Sequence, residues 1–248
     1  MVSKNGSQVI EIIRYEDRYH EQAMEVLRKS FFLHETVCIG TEVNLTPQAQ
    51  KDLEQLCHDV ADDGVSMIAK HVPTGTVVGV SFNVLQTPRN PDNRSYFERF
   101  RDSKCTTDSS RELLQYMIAM DAKVNLFERY NISCLLEIMY LSTLPNYAGY
   151  GIATLLVEQS VRLAEKLKNA TEVAIFNHTN SHLTQLRNPK RPQIVSGLFS
   201  SKISQRIGEK VGFTFVMEVQ HSEFVFKDKT FAERVPDHPS SKIAVKFI

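Results

Sequence analysis

A single α/β domain is the fold class that this chain predicts, and three observations predict it. Short apolar, β-branched runs alternate with longer runs of helical spacing from about residue 9 to residue 247. One run, SCLLEIMYLST at 133–143, is nearly all apolar, as expected of a central strand covered on both faces. Gly149 and Gly151 lie between that run and an amphipathic stretch, at a strand-to-helix junction. No linker, repeat or low-complexity tract divides the 248 residues, so 1–248 reads as one domain with its core at about 9–247.

The elements follow in order. VIEIIRY (9–15) reads as a strand. Ala23, Val26, Leu27, Phe31 and Phe32 mix spacings of three and four and predict an amphipathic helix over 17–32. Thr46-Pro47 opens another helix to about Val60, with Thr46 as N-cap and Pro47 at the first helical position. Residues 65–72 and 77–85 predict a hairpin across the turn PTGT. The polar stretch 87–108 reads as a loop with room for a short helix, and Leu113, Met117, Val124 and Phe127 predict a long helix over 109–130. After the glycines, Ile152, Leu155, Leu156, Leu163 and Leu167 share one face of a helix to about Lys168. TEVAIFN (171–177) reads as the next strand, 178–197 as a polar connection, 200–211 as a helix, and 213–220, 223–226 and 243–247 as terminal strands. The loops 87–108 and 178–197 exceed the usual connection length, which often marks lids or insertions.

Composition excludes several classes of function. Lys plus Arg equals Asp plus Glu, 29 each, which argues against a nucleic-acid-coating protein. No apolar run approaches the ~20 residues that cross a bilayer, and the polar start MVSKNGSQ lacks the apolar core of a secretory signal. Cys38, Cys57, Cys105 and Cys134 are widely spaced and read as free thiols, with the cytosol as the expected location. His178 and His182 have no acid partner at a metal-binding spacing, so no metal is expected. Cys57-His58 and Cys105 read as structural, and Arg187, Lys190 and Arg191 as a solvated basic run.

The glycine junction carries the chemistry. Glycines there let backbone N–H groups close around an anion, and the helix N-terminus adds unsatisfied donors and partial positive charge. A simple tight turn is the alternative. A P-loop is excluded because no Lys-Ser/Thr follows, and a dinucleotide fingerprint because its third Gly or Ala is missing. Asn146-Tyr147-Ala148-Gly149-Tyr150-Gly151 instead resembles motif A of the GNAT superfamily: Gln or Arg, two residues, Gly, one residue, Gly or Ala. Asn146 stands where Gln or Arg is usual. Glu209-Lys210-Val211-Gly212-Phe213 resembles the passage from helix to strand in the same superfamily. Phe31-Phe32-Leu33-His34-Glu35, the Thr46-Pro47 helix and Ser200-Ser201-Lys202-Ile203-Ser204 narrow the resemblance to insect arylalkylamine N-acetyltransferases, whose first segment reads Phe-Phe-x-Asp/Glu-Glu-Pro. Here His34 and Thr36 replace the acid and the proline, and Glu35 is kept.

The resemblance implies a GNAT fold, a mixed and splayed sheet flanked by helices, and acetyl-CoA as co-substrate. It implies that Glu35 is the base that deprotonates the amine, and that Ser200 and Ser204 serve the proton relay. It also implies that Leu141, Ser142 and Thr143 meet the pantetheine arm, and that Asn146, Ala148, Gly149, Tyr150, Gly151, Ile152 and Ala153 hold the diphosphate. The expected partners are acetyl-CoA and a small amine, with no nucleic acid and no membrane, and the expected state is a monomer. The amine is expected to be an arylalkylamine such as dopamine, serotonin or tryptamine. A polyamine or agmatine is the alternative acceptor. A CoA-binding protein without catalysis and a protein-lysine acetyltransferase are the other readings.

Overall fold

The computed structural model describes residues 2–5, 8–88, 94–169, 174–175, 184–185 and 190–248. Its frame is an eight-stranded mixed sheet. β1 (Val2–Asn5), β2 (Gln8–Arg14), β3 (Met67–His71), β4 (Thr76–Gln86) and β5 (Leu135–Thr143) pair antiparallel in that order. β5 then pairs in parallel with β8 (Ile194–Phe199), which pairs antiparallel with β12 (Ser240–Phe247), and β12 with β9 (Thr214–Gln220). α8 (Ile152–Asn169) covers one face through Ile152, Leu156, Val157 and Val161. α1 (His20–Val26), α4 (Pro47–Ala61) and α6 (Asp108–Lys123) cover the other through Met24, Leu53, Leu56 and Leu114. The two-sided cover explains why β5 reads as a nearly continuous apolar run.

Two features of β5 open the sheet. The parallel register with β8 runs from Leu135↔Ile194 to Ile138↔Gly197 and stops there, while β5 continues to Thr143. The register against β4 slips at the same place: Phe82 faces Tyr140 and Asn83 faces Ile138, so Met139 is the extra residue of a β-bulge. A bulge bends its strand and increases the local twist. The strands therefore part beyond Ile138, and the splayed sheet expected from the resemblance is present.

Several boundaries differ from the sequence reading. The strand that follows α8 in the sheet is β8, which begins inside the stretch read as a polar connection and runs two residues past it. Within 171–177, the described β6 (Ala174–Ile175) pairs with β7 (Thr184–Gln185) in a separate two-stranded ribbon. The apolar segment Ile194–Phe199 is short and carries Ser196 and Gly197 at its centre, so it lacks the β-branched density of the strand read upstream. The helix over 109–130 is two, α6 and α7 (Leu126–Tyr130). Val124 is extended between them, and the Asn125 side chain caps α7 by accepting from the N–H groups of Phe127 and Glu128. The helix over 17–32 changes pitch: α1 ends at Val26, a π-turn spans Leu27–Phe31, and a short α2 (Phe32–His34) follows. Residues 223–226 contribute only β10 (Val225–Phe226), paired with β11 (Lys229–Thr230) outside the main sheet. The hairpin of β3 and β4 stands as read. α5 (Tyr96–Ser103), closed by a capping box between Ser95 and Glu98, fills part of the long polar stretch before α6.

α6 is anchored by a buried carboxylate. Asp52 of α4, 6% exposed, accepts from the Thr106 N–H at 2.7 Å, the Thr106 hydroxyl at 2.9 Å, the Ser110 hydroxyl at 2.7 Å and the Gln48 amide at 3.1 Å. Burial acts to raise this carboxyl, but the donors from Ser110, Thr106 and Gln48 together outweigh it and hold it below its ordinary value. A depressed carboxyl stabilises the fold above its unfolded pKa and ceases to as pH falls through its folded one. Asp52→Ala should cost roughly 2–3 kcal/mol at pH 7 in denaturant unfolding. The difference from wild type should shrink below pH ~4. An unchanged difference at pH 3 would show that the carboxylate charge is not what anchors α6.

Candidate active site

Glu35 lies at a break in the chain direction. It ends α2 and caps α3 (Thr36–Gly40) with extended backbone, and its Oε2 accepts from the Cys38 N–H at 2.8 Å. The π-turn before it places the Ser30 hydroxyl 2.8 Å from the Thr143 carbonyl, tying this segment to the end of β5. π-turns are rare and often mark functional sites. Ser200 follows β8 directly and is 9% exposed. Its hydroxyl donates to Glu35 Oε1 at 2.5 Å, across 165 residues of sequence. Two candidates taken from distant segments thus meet beside the gap between β5 and β8.

Ser204 does not join them. Ser201 is the N-cap of α9 (Lys202–Val211), and Ser204 is its capping-box partner: the two hydroxyls lie 3.0 Å apart, and Ser204 also donates to the Ser201 carbonyl at 3.0 Å. Residues four apart share a helix face, but the first turn of α9 uses Ser204 for its own termination.

Leu141, Ser142 and Thr143 pair with Ser81, Val80 and Gly79 of β4, and their other edge faces the gap that β8 has left. Asn146, Ala148, Gly149 and Gly151 are exposed on the loop into α8, and Tyr150 and Ala153 are half-buried. Ile152 is buried and fastens the first turn of α8 against the sheet. The Ala148 N–H already bonds to the Pro145 carbonyl at 3.0 Å, in the 3-10 turn Pro145–Tyr147. Gly149 and Gly151 have φ of +81° and +74°, the left-handed region that side chains disfavour, and beyond their immediate chain neighbours no atom lies within 4 Å of where their Cβ atoms would be. The Leu155 N–H bonds to the Gly151 carbonyl at 3.1 Å, so the helical ladder starts there and the first N–H groups of α8 have no partner inside the helix. An exposed nest of donors at a helix N-terminus suits a diphosphate.

A cavity of about 1100 Å³ adjoins the gap, with Phe31, Glu35, Tyr116, Met120, Glu137 and Ser200 in its wall. Sequence reasoning missed Tyr116 and the polar chain behind it. The Tyr116 hydroxyl donates to Ser241 Oγ at 2.6 Å, and Ser241 lies 2.8 Å from His221 Nε2. His221 Nδ1 lies 2.5 Å from the His238 carbonyl, which only accepts, so Nδ1 carries the proton and Nε2 accepts from Ser241. Burial lowers the His221 ring below its ordinary value, in keeping with a neutral imidazole. Burial pushes the Tyr116 hydroxyl up against the pull of Ser241, and the Glu35 charge adds to the rise. Glu137 was also missed, although a lone charge in an apolar strand is a visible signal.

The four cysteines are free and buried. Burial, with the charge of Glu54, holds the Cys57 thiol well above its ordinary value, which suits a structural role. Lys190 is committed to Asp63 at 3.6 Å and to the Leu85 carbonyl at 3.1 Å, so it is held away from the glycine loop. His178, His182 and Arg187 lie outside the described residues. Among the described residues no helix is long and apolar enough to cross a membrane.

No protein-family model matches the sequence, and no curated protein matches it. Solved structures do match. Arylalkylamine N-acetyltransferase 2 from Aedes aegypti aligns at a TM-score of 0.75 and 22% identity, over 96% of this chain and 99% of that one. A polyamine N-acetyltransferase from Drosophila melanogaster, an enzyme that forms N-acetylagmatine, aligns at 0.74 and 15%, over 96% and 100%. An agmatine N-acetyltransferase aligns at 0.74 and 14%, over 96% and 99%. The chain has the GNAT N-acetyltransferase fold, as the sequence resemblance implied.

Proposed function

We propose that this protein transfers the acetyl group of acetyl-CoA to a small primary amine, by direct attack of the amine on the thioester in a ternary complex. The Ser200–Glu35 hydrogen bond at the gap carries the reading, because it joins a carboxylate base to the place where a strand-like pantetheine arm would enter. An alkylammonium with a pKa near ~10 must lose a proton before it attacks. Glu35 takes that proton, directly or through water, and its charge draws the cation in. The amine nitrogen then forms the C–N bond, the C–S bond breaks, and the thiolate takes up a proton as the new amide loses one. Met139, the extra residue of the bulge, offers a backbone N–H near the parting of the strands to polarise the carbonyl. Gly149, Gly151 and the first turn of α8 hold the diphosphate.

An arylalkylamine would lay its ring against Phe31, Met117 and Met120 of the cavity. The carboxylates Asp121 and Glu137 in the same wall favour a second reading, a polyamine or agmatine acceptor. Release of CoA from acetyl-CoA should be followed with tyramine, dopamine, agmatine, spermidine and a lysine peptide. Turnover with at least one small amine is the expected result. Acetyl-CoA binding without turnover on any amine would favour a CoA-binding protein that does no chemistry, and turnover on the peptide alone would move the acceptor to protein lysine.

A further inference from the structure

The cavity that reaches Glu35 and Ser200 holds a carboxylate that the transfer step does not use. Glu137 is the sole charged residue of β5, and it is half-buried with its remaining surface on the cavity. The Gln86 amide donates to one of its oxygens. Among the described residues no Lys or Arg forms an ion pair with it. The described cations of the cavity wall are engaged elsewhere: Arg94 with Asp102, Arg99 with the Arg94 carbonyl, and Lys190 with Asp63. Asp121 of α6 lines the same cavity and is close enough for its charge to act on Glu137. Burial first, and Asp121 second, push the Glu137 carboxyl up to about 8. A carboxyl placed this way destabilises the fold, because its charged form is desolvated and faces a like charge. Such a group points to a ligand that compensates it.

Register gives its place. Glu137 is opposite Ser196, four residues before Ser200. At ~3.3 Å per residue the two backbones stand roughly 13 Å apart along the strands. Met139, where the strands part, is two residues beyond Glu137, or roughly 7 Å. An amine held for attack near the parting of the strands would therefore have Glu137 within the length of a short aliphatic chain.

We infer that Glu137, supported by Asp121, is a second cation-binding position in the acceptor cavity, and that the preferred acceptor is an amine carrying another positive charge, ammonium or guanidinium, at the far end of a short chain. This inference rests on the acetyl-transfer reading for its site but not for its test. The charged distal group favours the ionised form of Glu137 and pairs with it, and the apolar wall packs on the methylenes between the two charges. A ring-bearing monoamine satisfies the wall alone.

The test compares 1,5-diaminopentane with pentylamine, which differ only in the distal charge. Wild type should acetylate the diamine with kcat/KM at least tenfold higher, and Glu137→Gln should bring that ratio down to within about twofold. The substitution is nearly isosteric and removes a carboxyl whose charged form is disfavoured where it stands, so its Tm should equal or exceed that of wild type. If it fails to fold, Asp121→Asn should lower the same ratio. A ratio near one in wild type, or one that Glu137→Gln leaves unchanged, overturns the inference while leaving acetyl transfer standing. Calorimetric titration with 1,5-diaminopentane separates the two failures. Binding to wild type but not to Glu137→Gln, without acetylation of any amine, would retain the cation site and reject the transfer reading. No binding and no acetylation would reject the cation site as well.

Discussion

Glu35→Gln should lower kcat at pH 7 by about 10²–10⁴-fold, the usual contribution of a positioned general base. The fold should survive the change. Glu35 accepts from the Cys38 N–H and from the Ser200 hydroxyl. A glutamine can keep its oxygen on Cys38, which can only donate, and turn its NH₂ to Ser200, whose hydroxyl can accept. The cap of α3 is thus retained and only the carboxylate is lost. Acetyl-CoA affinity should stay within about twofold, since the glycine loop and the gap are built from other elements. The pH profile separates a lost base from a lost contact. Without a base, the rate should rise about tenfold per pH unit toward the amine pKa near ~10, because the neutral amine must then come from solution. Ser200→Ala should cost less, about tenfold, because it removes a donor to the base and leaves the base in place. A Glu35→Gln enzyme that keeps turnover within tenfold of wild type at pH 7 would remove Glu35 from the chemistry.

What the sequence made legible follows from how local each signal is. The apolar strand, the two glycines and the helix after them are contiguous, so spacing alone locates the junction. Glu35 and Ser200 are 165 residues apart, and the resemblance to a family, rather than any periodicity, placed them in one site. Their contact became visible only when β8 was set parallel to β5. That pairing is non-local, and a segment such as IVSGLF, with small residues at its centre, looks little different from a loop. The pairing of Ser204 with Ser201 was hidden for a related reason. Spacing of four puts two residues on one helix face, but it does not tell which serine starts the helix, and Ser201 does. The break between α6 and α7 depends on the Asn125 side chain displacing the helical ladder, a choice that average propensity does not reveal. Tyr116, Ser241 and His221 come from three separate elements, and nothing in their local sequence marks them as one chain of hydrogen bonds.

The glycine loop provides the other large effect, and here binding and folding can be told apart. Gly151 holds φ at +74° with open space around it. In Gly151→Ala the new methyl meets no protein atom, so the direct cost to folding is backbone strain of roughly 1–2 kcal/mol. The loop is exposed and can relax part of it, for a Tm loss of about 2–4 °C in a domain of this size. Relaxation turns the N–H groups at the start of α8 away from their common focus. The affinity for acetyl-CoA should therefore fall about tenfold or more, seen as a raised KM with kcat little changed. S-acetylpantetheine, which lacks the diphosphate, is the discriminating co-substrate. It should be used more weakly by wild type, and Gly151→Ala should impair its use by no more than about twofold. If the variant is impaired equally with both thioesters, the glycine serves the placement of α8 and the pantetheine gap rather than the diphosphate.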